Sequence, residues 1–139
     1  MRPFHLAFAV NDLEATRAFY VNKLGASLGR ESENEWIDFD LYGNQISAHF
    51  RSGFFALDTT GAVDGDAVPV PHFGAIVTLE EFDLISKRLQ SDPNTTWVIE
   101  PRTRFKGEAG EQSTLFVRDP SGNALEFKAF KEDASIFAK

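Results

Sequence analysis

The sequence predicts an α+β fold made of two tandem βαβββ modules, and three repeated features indicate it. A strand that opens on a histidine occurs at His5 and again at His72, an offset of 72 − 5 = 67 residues. A helix-start signal follows each of these strands. The last hairpin of each half has a Gly-Asn pair, beginning at Gly43 and at Gly122. Similar patterns that recur along a chain indicate an internal repeat.

The first strand of each module is expected to bury one face. Residues 4–10 (Phe-His-Leu-Ala-Phe-Ala-Val) alternate bulky apolar side chains with small ones and His5. That period of two is typical of a half-buried strand. Residues 72–77 (His-Phe-Gly-Ala-Ile-Val) repeat the design and begin with His72. Each histidine should therefore lie on the face opposite the bulky side chains.

A helix is predicted directly after each of these strands. The segments 11–14 (Asn-Asp-Leu-Glu) and 78–81 (Thr-Leu-Glu-Glu) fit capping boxes, in which the first side chain and the glutamate satisfy free N–H groups. The first helix is expected to end at Gly25, where a left-handed backbone is easily adopted. The second should end before the polar segment 91–94.

Three short strand-like runs follow each helix, and they complete the modules. They cover residues 26–29, 35–41 and 45–50 in the first half, and 96–100, 113–118 and 124–129 in the second. A single domain over residues 1–139 is expected. Its parts are module one over about 1–51, a Gly/Asp-rich linker over about 52–69, module two over about 70–131 and a C-terminal tail over 132–139.

The composition argues against several classes of function. A formal net charge of −7 disfavours a nucleic-acid partner. The absence of cysteine excludes disulfides, thiol nucleophiles and iron–sulfur clusters. No apolar run approaches the ~20 residues that cross a bilayer, and no signal-peptide pattern is seen. We therefore expect a cytoplasmic protein without a membrane partner. Most of the 14 phenylalanines should fill a core, and the others could line a pocket for a small molecule.

A family resemblance rests on four features of the chain. These are the duplicated βαβββ pattern, the two strand-initial histidines, Phe-Tyr at 19–20 before Leu-Gly at 24–25, and Asp-Pro-Ser-Gly-Asn-Ala-Leu-Glu at 119–126. In these features the chain resembles the vicinal oxygen chelate superfamily. That superfamily includes glyoxalase I, bleomycin-resistance proteins, fosfomycin-resistance enzymes and type I extradiol dioxygenases. Within it, the chain is similar to small single-domain proteins predicted to be extradiol dioxygenases.

The resemblance implies a curved mixed-sheet cup with helices on the outside and a metal inside. Strand alternation then directs His5, His72 and Glu126 into the cup, and the resemblance to extradiol enzymes implies that these three are the ligands. Two imidazoles and one carboxylate with open positions suit Fe(II). Fe(II) is therefore the expected ion, with Mn(II), Ni(II), Co(II) and Zn(II) as alternatives. A substrate with two vicinal oxygens would bind the metal directly.

His49 is a candidate catalytic residue whose role the sequence leaves open. Alignment of the two hairpin turns makes Ser47 the equivalent of Glu126, and His49 follows two residues later on the same strand face. His49 is a fourth ligand, an acid/base that moves substrate protons, or a residue at the rim of the cup.

Three functions remain in view. The first is an extradiol-type dioxygenase acting on a catechol-like small molecule. The second is a glyoxalase-like isomerase or lyase, which requires a second carboxylate base that Ser47 does not supply. The third is a small-molecule binding protein like the bleomycin-resistance proteins, which generally do not carry the metal triad. A homodimer is expected by analogy with the superfamily, and the site is either intramolecular or shared between two chains.

Overall fold

The protein consists of two βαβββ modules joined by a hairpin, so the predicted fold class is confirmed. A computed structural model describes residues 1–63 and 65–139, and Asp64 of the predicted linker lies outside the described residues. Module one contains β1 (His5–Val10), α1 (Leu13–Ala18), a π-helical turn (Phe19–Lys23), β2 (Ser27–Ser32), β3 (Trp36–Leu41) and β4 (Asn44–Phe50). The hairpin contains β5 (Thr59–Val63) and β6 (Asp66–Val70). Module two contains β7 (Phe73–Val77), α2 (Leu79–Gln90), β8 (Thr96–Arg104), β9 (Gln112–Arg118) and β10 (Ala124–Phe130), before a 3₁₀ turn (Asp133–Ser135).

The two modules have the same sheet topology. Their strand orders are β1-β4-β3-β2 and β7-β10-β9-β8. In each sheet the first strand pairs in parallel with the last, and the other neighbours are antiparallel. Each sheet is therefore mixed. The helix after the first strand returns the chain to the other edge of the sheet, as parallel strands require a long connection.

The helices begin where local side chains satisfy free backbone N–H groups. At α2 the predicted capping box is present, with Thr78 and Glu81 bonded reciprocally. At α1 the cap is Asp12, whose carboxylate accepts the Ala15 N–H at 2.9 Å, so the expected cap at Asn11 is wrong by one residue. Asn11 instead donates its amide to the Phe54 carbonyl at 2.7 Å. Among the described residues, no helix has both the length and the apolar character to cross a membrane.

One apolar core joins the two modules. It contains residues from both helical segments and from the helix-facing sides of both sheets. Tyr20 of the π-helical turn, Phe39 of β3, Ile85 of α2 and Phe127 of β10 are each at most 1% exposed. Because each sheet presents one face to this shared core, the other face of each sheet points away from it. We call these two outward surfaces the open faces.

A buried carboxylate links the two modules at the edge of this core. Asp119 accepts a hydrogen bond from the Tyr20 hydroxyl at 2.9 Å, and others from the Asn123 side chain and from the backbone N–H groups of Ser121 and Asn123. Burial raises the pKa of the Asp119 carboxyl, although these hydrogen bonds act in the opposite direction. Burial also raises the pKa of the Tyr20 hydroxyl well above its ordinary range.

The loop that carries Asp119 makes further contacts with module one. Asn123 donates its amide to the Ala9 carbonyl at 2.9 Å, and the Ser121 hydroxyl accepts the Asn11 N–H at 2.9 Å. Ser121 is fully buried. The Asp-Pro-Ser-Gly-Asn segment is thus a structural junction between the modules, in addition to leading into the strand of Glu126.

Replacing Asp119 by Asn should weaken this junction. An amide has a single acceptor oxygen, so its NH₂ group would face two of the donors that now bond the carboxylate. We expect the Asp119→Asn variant to lose about 2–3 kcal/mol of unfolding free energy, measured by urea denaturation at pH 7. Asp133→Asn, at an exposed position, is the control. Equal stability of the two variants would contradict the assigned role of Asp119.

Candidate metal centre

His72 and Glu126 lie in contact on the open face of module two. The His72 Nε2 atom is 3.1 Å from the Glu126 Oε2 atom. Their side chains are 28% and 13% exposed, so solvent reaches the pair from one side. The register places Glu126 of β10 beside Gly74 of β7, and His72 immediately precedes that strand.

The protonation of His72 follows from its second ring nitrogen. Nδ1 lies 2.7 Å from the carbonyl oxygen of Pro69, which can only accept a hydrogen bond, so Nδ1 carries the proton. In the neutral ring the lone pair of Nε2 then points at the Glu126 carboxylate. Two acceptors at 3.1 Å repel each other unless a proton or a cation lies between them. The pair is therefore suited to hold a positive charge.

Glu126 is oriented by its neighbours in the sheet. The Thr114 hydroxyl donates to Oε1 at 2.9 Å, and the Lys128 Nζ atom is 3.7 Å from the same oxygen. This leaves Oε2 directed at His72. A Cβ atom at Gly74 would lie 1.7 Å from the Glu126 carbonyl oxygen, so β7 approaches β10 more closely than any side chain at position 74 allows.

The donor set fits a divalent ion of the first transition series. Ligand atoms at ~2.1 Å from such an ion and at right angles to each other lie about 3.0 Å apart, close to the 3.1 Å between Nε2 and Oε2. Metal-binding histidines commonly donate their other ring N–H to a carbonyl oxygen, and metal-binding carboxylates commonly accept a further hydrogen bond, which orients both ligands. Pro69 supplies this carbonyl oxygen here, and Thr114 supplies the hydrogen bond.

His5 is not in contact with His72 and Glu126. It lies on the open face of module one, where it is exposed. Within residues 1–63 and 65–139, no three His, Asp or Glu side chains come close enough to hold a metal together. The structure therefore brings together two of the three predicted ligands. The reason lies in the shared core, from which the two open faces point away.

The registers of the two sheets nevertheless make His5 and His72 equivalent. Leu6 pairs with Ile46 in module one, and Phe73 pairs with Leu125 in module two. The offsets are 73 − 6 = 67 for the first strand and 125 − 46 = 79 for the last. Applied to Ser47, the second offset gives 47 + 79 = 126, so Ser47 occupies the place of Glu126, as the turns predict.

His49 is farther from His5 than Ser47 is. It pairs with Ala9 on β1 and with Trp36 on β3, whereas His5 pairs with Gln45. Four residues of strand correspond to about 13 Å. This separation favours an acid/base or rim position for His49 over a place in the ligand shell of His5.

Asp38 is not among the residues predicted from the sequence, and it lies beside Ser47 on the same open face. The two residues are register partners, and the Ser47 hydroxyl donates to Asp38 Oδ1 at 2.5 Å. The alternation of residues 36–41 (Trp-Ile-Asp-Phe-Asp-Leu) with buried Ile, Phe and Leu places Asp38 opposite the core. That pattern is visible in the sequence, but the partner of Asp38 across the sheet is not.

An apolar cavity of about 550 Å³ adjoins His72, between the edge strands β1 and β7. Its walls include Phe8, Phe55, Leu57 and Phe73, and the Phe116 ring meets the His72 ring edge-on with centroids 5.0 Å apart. Phe55 and Leu57 are 70% and 92% exposed. His72 thus lies at the edge of an apolar cavity, and Glu126 is not among the residues that line it.

Solved structures with the same fold include proteins of several functions. A glyoxalase/bleomycin resistance protein/dioxygenase from Alicyclobacillus acidocaldarius is 29% identical, with a TM-score of 0.72 and coverage of 97% of this chain and 96% of that one. Fosfomycin resistance protein FosX from Listeria monocytogenes is 21% identical, with a TM-score of 0.67 and coverage of 93% and 90%. Lactoylglutathione lyase from Agrobacterium tumefaciens is 19% identical, with a TM-score of 0.61 and coverage of 91% of each chain.

The family follows from a match over most of the sequence. Comparison with curated proteins gives no match. The model of the Glyoxalase/Bleomycin resistance protein/Dioxygenase superfamily, however, matches residues 2–127, which include all three predicted ligands. The repeated βαβββ topology agrees with that match. The chain therefore belongs to the Glyoxalase/Bleomycin resistance protein/Dioxygenase superfamily.

Proposed function

We propose that this chain is a metal-dependent enzyme that binds a small molecule through two vicinal oxygens, with His5, His72 and Glu126 as the metal ligands. The observation that carries the proposal is the His72–Glu126 contact, in which the Nε2 and Oε2 atoms face each other at 3.1 Å. Members of the superfamily are mostly metal-dependent enzymes, and they typically use divalent ions.

The site is proposed to be shared between two copies of the chain. The open face with His5 and the open face with His72 and Glu126 point away from one core, so a second copy must supply the missing histidine. β1 and β7 are edge strands of their sheets, each with a single partner strand in the described part of the chain. A two-fold axis that sets module one of each copy against module two of the other creates two identical sites.

The proposed reaction is ring cleavage of a catechol-like substrate, as in extradiol dioxygenases. Two imidazoles and one carboxylate suit Fe(II), with Mn(II), Ni(II), Co(II) or Zn(II) as alternatives. When bound, the ion supplies positive charge for the vicinal oxygens and, if it is Fe(II), electrons for O₂. The apolar cavity beside His72 offers a wall for the ring of such a substrate.

The residues of this chain have distinct parts in that reaction. Thr114 and Pro69 orient the two ligands of module two, and the Phe116 ring shields one edge of the His72 ring. His49, half-buried on the open face of module one, is proposed to exchange protons between the substrate and solvent. The cytoplasmic location stays a prediction from the sequence.

A second candidate function is a glyoxalase-like isomerase or lyase. Such a reaction requires a carboxylate that moves a proton between two substrate atoms. Ser47 does not provide it, but Asp38, bonded to the Ser47 hydroxyl, places a carboxylate next to that position. The isomerase is therefore a stronger alternative than the sequence suggests, and oxygen consumption separates it from the dioxygenase.

Metal analysis tests the ligand set. His72→Ala should lose the bound ion, whereas His49→Ala should keep it. Thr114→Val should lower metal affinity by about 10–100-fold, because the carboxylate of Glu126 loses its orienting hydroxyl. Thr96→Val, at an exposed position on the same sheet, is the control. Metal retained by His72→Ala, or no metal after reconstitution of wild type, would leave a small-molecule binding protein as the better account.

Mixed dimers test whether the site is shared. Co-expressed His5→Ala and His72→Ala chains should recover about a quarter of the wild-type metal sites, since random pairing makes half of the dimers mixed and each holds one intact site. A mixture of His72→Ala and Glu126→Ala chains should recover none, because both changes lie in the same module. Equal metal content of the two mixtures would exclude sharing between chains.

Oxygen uptake tests the reaction. Protein loaded with Fe(II) under anaerobic conditions should consume one O₂ per catechol when air is admitted, because ring cleavage inserts both oxygen atoms. Loss of uptake in His72→Ala excludes free iron as the cause. A metal-loaded protein that consumes no oxygen with catechols but isomerises the hemithioacetal of methylglyoxal would establish the second candidate.

A further inference from the structure

We infer that Asp38, held by the Ser47 hydroxyl, takes the proton from a substrate hydroxyl group at the shared site. The inference rests on the proposed function, because it requires a substrate held at the ligands His5, His72 and Glu126. It gives a catalytic role to a residue that is neither a proposed ligand nor one of the histidines.

The position of Asp38 follows from the registers of the two sheets. In module two, Gly74, Glu126 and Phe116 form one row across β7, β10 and β9. In module one, the equivalent row contains Ala7, Ser47 and Asp38. Asp38 therefore occupies the place that Phe116 has in module two, and Phe116 is in contact with the ligand His72.

The same registers put Asp38 close to His5 along the strands. The row with Ser47 and Asp38 follows the row with His5 and Gln45 by two residues, or about 7 Å. In module two, His72 and Glu126 are also separated by two residues along the strands, and their Nε2 and Oε2 atoms are nevertheless only 3.1 Å apart. A substrate bound at the ligands thus lies beside the row of Asp38.

Asp38 ranks ahead of His49 for this role because His49 lies one row farther from His5. Lys128 has the place of His49 in module two, and its long side chain brings Nζ to 3.7 Å from Glu126. The imidazole side chain of His49 is shorter than a lysine side chain, so it reaches less far towards the row of Ser47 and Asp38. We assign His49 the transfer of protons between Asp38 and solvent.

The surroundings of Asp38 hold one oxygen of its carboxylate and leave the other open to a substrate. Ser47 is 5% exposed, so its hydroxyl holds Oδ1 at a site partly shielded from water. In the described part of the chain, no donor besides Ser47 is hydrogen-bonded to this carboxylate. On the neighbouring strand β2, Gly29 has no side chain, and a Cβ there would lie 3.2 Å from the Asp38 Cβ. The carboxylate therefore stays uncovered on that side.

The proton transfer is balanced within the site. The O–H bond of the substrate breaks, the proton moves to Asp38 Oδ2, and the electron pair stays on the substrate oxygen. Phenols are weaker acids than carboxylic acids, so the transfer is unfavourable unless the substrate oxyanion is stabilised. The positive charge held by the ligand set stabilises the resulting oxyanion. Asp38 can therefore receive the proton only when the metal site is filled.

The chromogenic probe 4-nitrocatechol tests this directly, since its visible absorption changes when a hydroxyl ionises. The protein is loaded with Zn(II), which does not react with O₂, and the spectrum of the bound probe is taken at a pH where the free probe keeps that proton. Wild type should bind the deprotonated probe. Asp38→Asn should also bind it deprotonated, with unchanged metal content. It should, however, release about one more proton per bound probe to the solvent, measured by titration in weakly buffered solution, because it lacks the carboxylate that retains this proton in wild type.

The matched control is Asp40→Asn, on the same strand and face and in the row of His5 and Gln45, but with its carboxylate bonded to the Gly43 N–H. It should release the same number of protons as wild type. With Fe(II) and catechol, Asp38→Asn should lower kcat by about 100-fold and change KM by less than about threefold. Formate should partly restore Asp38→Ala, which a purely structural role would not allow.

The outcomes separate this inference from the proposed function. Release of the wild-type number of protons by metal-filled Asp38→Asn would overturn the inference and leave the metal-dependent function standing. Metal-filled wild type that does not bind 4-nitrocatechol would overturn the catechol assignment and the inference with it. Loss of metal from Asp38→Asn would also overturn the inference, because it would make Asp38 a support of the ligand set.

Discussion

The carboxylate of Asp119 is held by four hydrogen-bond donors at the junction of the two modules, and the arrangement of the molecule depends on it. One of these donors, Tyr20, belongs to module one, and Asn123 also bonds the backbone of β1. With the junction fixed, both sheets bury their apolar faces in one core. Their polar faces must then point outward, and the ligands of the proposed site are divided between two surfaces.

Each of these outward surfaces holds an incomplete set of groups. Module two has a histidine and a glutamate in contact, with the carbonyl of Pro69 and the hydroxyl of Thr114 fixing their orientation. Module one has two histidines, His5 and His49, and, at the position equivalent to Glu126, a serine bonded to Asp38. In the proposed site, module two thus contributes two of the three metal ligands, and module one contributes His5 and the carboxylate of Asp38.

The sequence predicts much of this arrangement, because strand alternation and repeat spacing are local properties. The offsets of 67 and 79 residues identify His5, His72, Glu126 and Ser47 as related positions, and the registers confirm them. The pairing of Asp38 with Ser47 was missed, since a cross-strand partner depends on the register of two separate segments. Whether the modules share a core could not be predicted either, because it depends on contacts between distant parts of the chain.

The linker has a closer connection with the site than its exposed position indicates. The Pro69 carbonyl lies at the end of the linker hairpin, three residues before His72, and it determines which nitrogen of that imidazole is free. Changes in length near the hairpin turn would leave this contact in place, because the paired strands β5 and β6 absorb them. A single residue inserted between Pro69 and His72 would separate the two groups. The two residues between Pro69 and His72 therefore set the orientation of the imidazole, although they lie outside both βαβββ sheets.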